Sequence, residues 1–302
     1  MRIVSLLPST TEIIFDLGLA DQLVGVTFEC NYPKEASVGR EIVVDGMDTK
    51  HLTPLEIDEL VRERMADGGG LYFLDEAALS RCNPDLILSQ DLCRVCAVPS
   101  GNVDEALDRL NCHATVVQID PQNLLDVIHS VQTVADAVGV PSQGRELVAS
   151  LLAQLGALDE RVMVHLGERE RPKVFVLEWV DPPFQSGHWV PDIVYAGGGN
   201  PVLGLSGQRS VEIGWESIRA INPHHIIVSP CGFDLDGASA QALAVMDKFP
   251  VDAVIWAIDA DAVIVRPGPR LVKGAEAIAA ALFGHEVAGL DEFPDRVIRR
   301  LR

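Results

Sequence analysis

Apolar residues along this chain fall into two kinds of run. Short blocks at 3–7, 23–26, 86–88 and 115–119 are rich in Ile, Val and Leu and carry no alternation, the pattern of strands buried on both faces. Between them, helical spacing recurs at 8–18, 54–65, 75–81 and 104–110. The first helix is expected to open at Pro8-Ser9-Thr10-Thr11-Glu12, with a serine or threonine cap and a glutamate in its first turn. The second half repeats the grammar, with strands at 174–177, 225–228 and 253–258 and helices at 216–221 and 270–282. Strand and helix in alternation predict an α/β protein with mainly parallel sheets covered on both faces.

A longer pattern separates the halves. Leu147, Leu151, Leu152, Leu155, Leu158, Val162 and Leu166 recur at spacings of three and four with no proline between them. Some 25 residues of helix reach about 37 Å, enough to join two lobes rigidly. Two shorter helices hinged at Gly156 are the alternative. The expected organisation is an N-terminal lobe at 1–121, a helical connector at 122–171 and a C-terminal lobe at 172–302. An internal echo supports duplication. Residues 81–88 and 220–227 each read as a helix end, an Asn-Pro stop (Asn83-Pro84, Asn222-Pro223) and a strand.

Charge changes the picture of partners. The chain of 302 residues carries 44 acidic and 24 basic side chains, a formal charge of -20. Such a surface repels phosphate backbones and anionic lipid, which sets nucleic acid and membrane surfaces aside. It suits a cationic or metal-bearing ligand, and equally it serves solubility. No apolar run reaches the roughly 18 residues that span a bilayer, so no membrane insertion is expected. The first strand begins directly after Met1-Arg2, leaving no room for a signal peptide. As written, the protein is expected in the cytosol; a start codon further upstream implies an extracytoplasmic one.

Six cysteines are too few and too scattered for a disulfide scaffold. Four of them follow strands: Cys30, the pair Cys93 and Cys96, and Cys231. Ligands of parallel α/β sheets gather at strand carboxyl ends. Three readings stand open: a zinc or iron–sulfur site from Cys30, Cys93, Cys96 and Cys231, a redox pair at Cys93 and Cys96, or buried packing thiols. His188 reads either as an auxiliary ligand or as a cap for the next helix, and Glu29 beside Cys30 is a comparable candidate. Phe28, Trp179 and Trp189 are candidates for an apolar wall against a flat ligand. His224, His225, Trp215 and Trp256 read as structural or core. No Gly-x-Ser-x-Gly, complete P-loop or His-Glu-x-x-His is present, so binding rather than catalysis is expected.

Several stretches carry a resemblance. They are Arg2-Ile3-Val4-Ser5-Leu6-Leu7-Pro8-Ser9-Thr10-Thr11-Glu12, Asn83-Pro84-Asp85-Leu86-Ile87-Leu88, Pro182-Pro183-Phe184-Gln185-Ser186-Gly187, Gly197-Gly198-Gly199-Asn200 and Arg266-Pro267-Gly268-Pro269-Arg270. In order and spacing the chain resembles the periplasmic-binding-protein group, whose two Rossmann-like lobes are joined by one long backbone helix. Within that group it is most similar to the vitamin B12-binding subfamily. The resemblance implies a corrinoid such as cobalamin, or a related metal-containing ligand, held in the interlobe cleft. It places that ligand against the loop at Val44, Gly46 and Met47, against Phe184, and against the segment after Asp259. It also implies an ABC transporter partner docking on a glutamate of each lobe. Glu216 matches the second, whereas Lys50 stands at the first with the opposite charge. The alternative is a cytosolic metal–thiolate, iron–sulfur or redox protein built on the cysteines.

Overall fold

A computed structural model describes residues 1–47, 49, 51–67, 70–90, 100–110 and 112–302. The chain divides into two compact units, one of residues 1–121 and 128–149 and one of 122–127 and 150–302. In the first, the order is β1 (Ile3–Ser5), α1 (Pro8–Asp16), β2 (Leu23–Thr27), β3 (Glu41–Gly46), α2 (Pro54–Ala66) and β4 (Tyr72–Leu74). There follow α3 (Glu76–Cys82), β5 (Leu86–Ser89), α4 (Ser100–Leu110) and β6 (Thr115–Gln118). The strands lie in the order β4-β3-β2-β1-β5-β6. All neighbours are parallel except β3 and the short edge strand β4. Val4, Val43, Val44, Leu79, Ile87 and Val103 form the core on one face of this sheet.

Two helices follow, α5 (Leu124–Ala137) and α6 (Pro141–Leu166). The pattern at 142–166 thus falls within one unbroken helix of 26 residues, Pro141–Leu166, and Gly156 does not interrupt it. Its apolar positions Leu151, Leu158, Val162 and Leu166 are buried.

The second unit continues with β7 (Lys173–Val180), β8 (Pro183–Gln185), α7 (Val190–Ala196), β9 (Asn200–Pro201), β10 (Val211–Glu212), α8 (Trp215–Ile221) and β11 (His225–Val228). It ends with α9 (Leu235–Ala244), β12 (Val254–Ile258), α10 (Ala260–Val263), α11 (Leu271–Phe283), α12 (His285–Ala288) and β13 (Ile298–Arg300). The sheet order is β10-β8-β7-β11-β12-β13, with β9 beside β7. Its centre, β7-β11-β12, is parallel, while β8, β10 and β13 pair antiparallel at the edges. Phe175, Leu177, Ile226, Val228 and Ile255 pack on one face. The molecule is a two-unit α/β protein whose mixed sheets are parallel at their centres. Among the described residues no helix is long and apolar enough to cross a membrane.

One expected local feature is corrected. Helix α1 starts at Pro8, with Leu7 as its N-cap, no capping side chain and no acid in its first turn. Ser9, Thr10 and Thr11 therefore lie inside the helix and are buried there. Proline suits this first position because its missing N–H would have had no partner.

Candidate functional site

In the first unit the carboxyl ends of β1 and β2 meet the start of α1 in a closed network of hydroxyls. Ser5 Oγ donates to Leu7 O at 2.8 Å and lies 2.6 Å from Thr10 Oγ1, while Thr11 Oγ1 donates to Ser5 Oγ at 2.9 Å. Cys30 joins them, its Sγ 3.1 Å from Thr11 Oγ1 and 3.3 Å from Thr27 Oγ1. With 2% exposure this thiol is a packing member of the network. The next residues face outward. Phe28 is 44% exposed and lies against Tyr72, ring centres 6.0 Å apart. Tyr72 in turn donates its hydroxyl to Glu29 at 3.0 Å. Phe28 also covers Gly46, where a Cβ would come within 2.5 Å of the ring. Met47 follows, half-buried, its N–H on Leu71 O at 3.0 Å. Phe28 and Tyr72 thus form one aromatic surface over Gly46.

Val44, expected to face a ligand, is a core residue at 1% exposure. The cause is a register shift. Val26 pairs with Ile42 and Thr27 with Val44, so β3 holds one extra residue and turns both Val43 and Val44 inward.

In the second unit a second aromatic surface stands at the turn from β7 to β8. Trp179 pairs with Phe184 across that hairpin and packs on Phe233 with ring centres 5.9 Å apart. Its indole N–H donates to Asp181 O at 3.1 Å. One residue back, Glu178 gathers two segments. Its carboxylate accepts from Gly187 N at 3.4 Å and from the Ser210 hydroxyl in a short contact. His188 then lies in a left-handed backbone conformation at φ 49°. Its N–H donates to Gln208 O at 2.6 Å and its carbonyl accepts from Gly207 N at 3.0 Å. Burial, and secondarily the charge of Arg209, lowers the pKa of the imidazole and so favours its neutral form.

Two expectations change here, and Asp259 takes a local role. His188 does not cap α7, whose N-cap is Trp189 without any capping side chain. Trp189 is no exposed wall. It is 6% exposed, and its indole N–H reaches Ile264 O at 2.8 Å, as a buried indole must find an acceptor. Asp259 caps α10, accepting from Ala262 N at 2.9 Å. Burial pushes that carboxyl up against the opposing pull of the Ala262 N–H.

Cys30 is buried and Cys231 exposed. Cys93 and Cys96 lie outside the described residues, as does Lys50. Among the described residues no group of three or more His, Cys, Asp or Glu is arranged to hold a metal ion. His224 and His225 are structural, their Nδ1 atoms accepting from Lys173 N at 2.9 Å and from Trp256 Nε1 at 3.2 Å. Glu216 is exposed in the first turn of α8 and pairs with Arg219 at 2.9 Å. A surface groove of about 440 Å³ in the second unit, lined by Leu124, Leu125, Asp192, Tyr195 and Ser206 among others, contains none of the expected ligand residues. Tyr72, Glu178, Arg209 and Phe233 were missed from sequence. Tyr72 alone gave a signal, an aromatic two residues after a glycine run.

Comparisons with known proteins agree with this architecture. An uncharacterized ABC transporter substrate-binding lipoprotein of Bacillus subtilis (strain 168) is 25% identical over 299 residues, covering 93% of this chain and 80% of its own. A vitamin B12-binding protein of Vibrio parahaemolyticus is 23% identical over 281 residues, 90% of this chain and 86% of its own. Among solved structures, a periplasmic heme binding protein from Pseudomonas aeruginosa superimposes with a TM-score of 0.70 at 16% identity, covering 100% of this chain and 95% of that one. At that identity the likeness concerns the fold alone. Residues 3–250 match the family model described as periplasmic binding protein, and the chain belongs to that family.

Proposed function

We propose that this protein is a substrate-binding protein that captures a corrinoid of the cobalamin type and delivers it to an ABC transporter. The observation that carries the reading is the pair of aromatic surfaces, Phe28 with Tyr72 and Trp179 with Phe184 and Phe233. Flat macrocycles need such stacking area. The relative named as a vitamin B12-binding protein supports the corrinoid over other flat ligands, because its match runs through both units. Haem offers the same flat metal-bearing shape and is the competitor to test. The thiolate alternative is not favoured. Cys30 is spent on Thr11 and Thr27, and Cys231 is a surface thiol.

The test is a titration of the purified chain with cyanocobalamin and, separately, hemin, followed by absorbance and by thermal unfolding. Saturable binding at one equivalent, a raised Tm and recovery of unchanged cobalamin are expected. Hemin binding with cobalamin inert would reassign the ligand, and neither compound moving the Tm would sink the reading.

A further inference from the structure

In the second unit, two side chains on neighbouring segments are left unused by the fold. One is His188. Its backbone occupies the left-handed region, which a non-glycine residue adopts only where its surroundings impose it. The Gln208 carbonyl and the Gly207 N–H hold it there from both sides. Its ring stands 5.6 Å from the Trp189 ring, and neither imidazole nitrogen has a hydrogen-bond partner among the described residues.

The other is Arg209, in the opposing segment and within electrostatic reach of that imidazole. Acids outnumber bases 44 to 24, and Arg81, Arg109, Arg171, Arg219 and Arg299 all sit in ion pairs. Arg209 is exposed and has no hydrogen-bond or ion-pair partner among the described residues. The nearby Glu178 carboxylate instead takes the Gly187 N–H and the Ser210 hydroxyl, which fixes the segments on either side of the pair.

We propose that Arg209 and His188 form a subsite for an anionic oxygen group of the captured ligand, a carboxylate or a phosphate, with Glu178 as its positioning residue. This rests on the reading of the chain as a macrocycle-binding protein. The guanidinium fork matches both groups, and an imidazole N–H adds a donor. A guanidinium this near disfavours a metal cation on the same imidazole. The -20 charge of the chain repels anions in general. A local uncompensated cation therefore decides which way round an anionic ligand is held.

The experiment measures affinity of the full chain for two matched pairs, in wild type, Arg209→Gln and His188→Asn. One pair is hemin and hemin dimethyl ester, which differ in free carboxylates. The other is cyanocobalamin and dicyanocobinamide, which differ in the nucleotide and its phosphate. Asparagine tolerates a positive φ, so His188→Asn preserves the backbone. The subsite predicts that both variants lose about tenfold or more for the anion-bearing member of one pair and less than about twofold for its partner. The pair that responds identifies carboxylate or phosphate. Equal losses for both members, or none for either, overturn the subsite and leave the macrocycle reading standing. Wild type binding none of the four overturns both.

Discussion

Asn83 and Asn222 end α3 and α8 in the same left-handed conformation, at φ 41° and ψ 62° and at φ 47° and ψ 69°. Each is followed by proline and then by a central parallel strand, β5 or β11. The repeated stop is a backbone requirement. A residue with a Cβ pays about 1–2 kcal/mol in this region unless, like asparagine, it tolerates the conformation. Asn83→Ala and Asn222→Ala are expected to destabilise by about 1 kcal/mol each. Asn→Gly at either site is expected to be neutral within about 0.5 kcal/mol. Urea unfolding of the four variants checks this. Equal losses for Ala and Gly would show that the asparagine side chain, not the backbone, matters.

Acid stability follows from His225. Burial first, then the neighbouring His224 and Arg300, pushes its pKa from 6.5 down to about 4. Its Nδ1 accepts the Trp256 indole N–H and must stay unprotonated to do so. The unfolded chain binds this proton near pH 6.5 and the folded chain only near pH 4. The contribution is therefore fully present above pH 6.5 and is lost as pH falls through this window. His225→Asn, which keeps an acceptor near Nδ1 and cannot titrate, is expected to flatten stability between pH 6.5 and 4. Thermal unfolding at several pH values reads it, and identical slopes in wild type and variant would refute it.

Thiol reactivity separates the cysteines. In a Cys93→Ser, Cys96→Ser background, Cys231 is exposed and is expected to react first with an aromatic disulfide. Cys82 is buried, and burial pushes its pKa from 9.0 up to about 11, about a hundredfold less thiolate at a given pH. Cys30, closed in by Thr11 and Thr27, is expected to react only on unfolding. Mass spectrometry of the time course assigns each site. Rapid labelling of Cys30 in the native protein would show that its hydroxyl network opens.

How much of this was legible in the chain depended on strand position. The central strands β1, β2, β5, β7, β11 and β12 are dominated by apolar residues, because parallel strands are buried on both faces. The short outer strands β4, β8, β9, β10 and β13 have two or three residues each, too few for a period. Helix α9 is rich in Gly, Ser and Ala, and its apolar positions mark no face. At the site, Phe28 and Trp179 were readable as candidate wall aromatics and Phe184 came from the family resemblance; all three stand in the aromatic surfaces. Val44 was misplaced because a bulge cannot be seen in an unbroken Ile-Val-Val run, and it reverses the face of everything after it. Trp189 was misplaced because nothing in sequence marks Ile264 O as its acceptor. Glu178 and Arg209 are separated by thirty intervening residues, and only the pairing of 187–188 with 207–210 brings them to one place.

That pairing yields a last prediction at Gly187. A Cβ there would fall on the Gln208 carbonyl oxygen, 2.6 Å from Ser210 N and 2.7 Å from Arg209 C. All three are backbone atoms, so no rotamer change relieves the clash and the 207–210 segment must move. Gly187→Ala is expected to destabilise by about 1–3 kcal/mol, the usual range for overpacking. It should also break the Glu178–Ser210 contact and displace Arg209. Gly207→Ala serves as the control, since nothing lies within 4 Å of its Cβ and its positive φ supplies backbone strain without a clash. The expected outcome is that Gly187→Ala weakens macrocycle binding while Gly207→Ala lowers only the Tm. If both variants lose stability but bind cyanocobalamin and hemin like wild type, the 207–210 segment takes no part in holding the ligand.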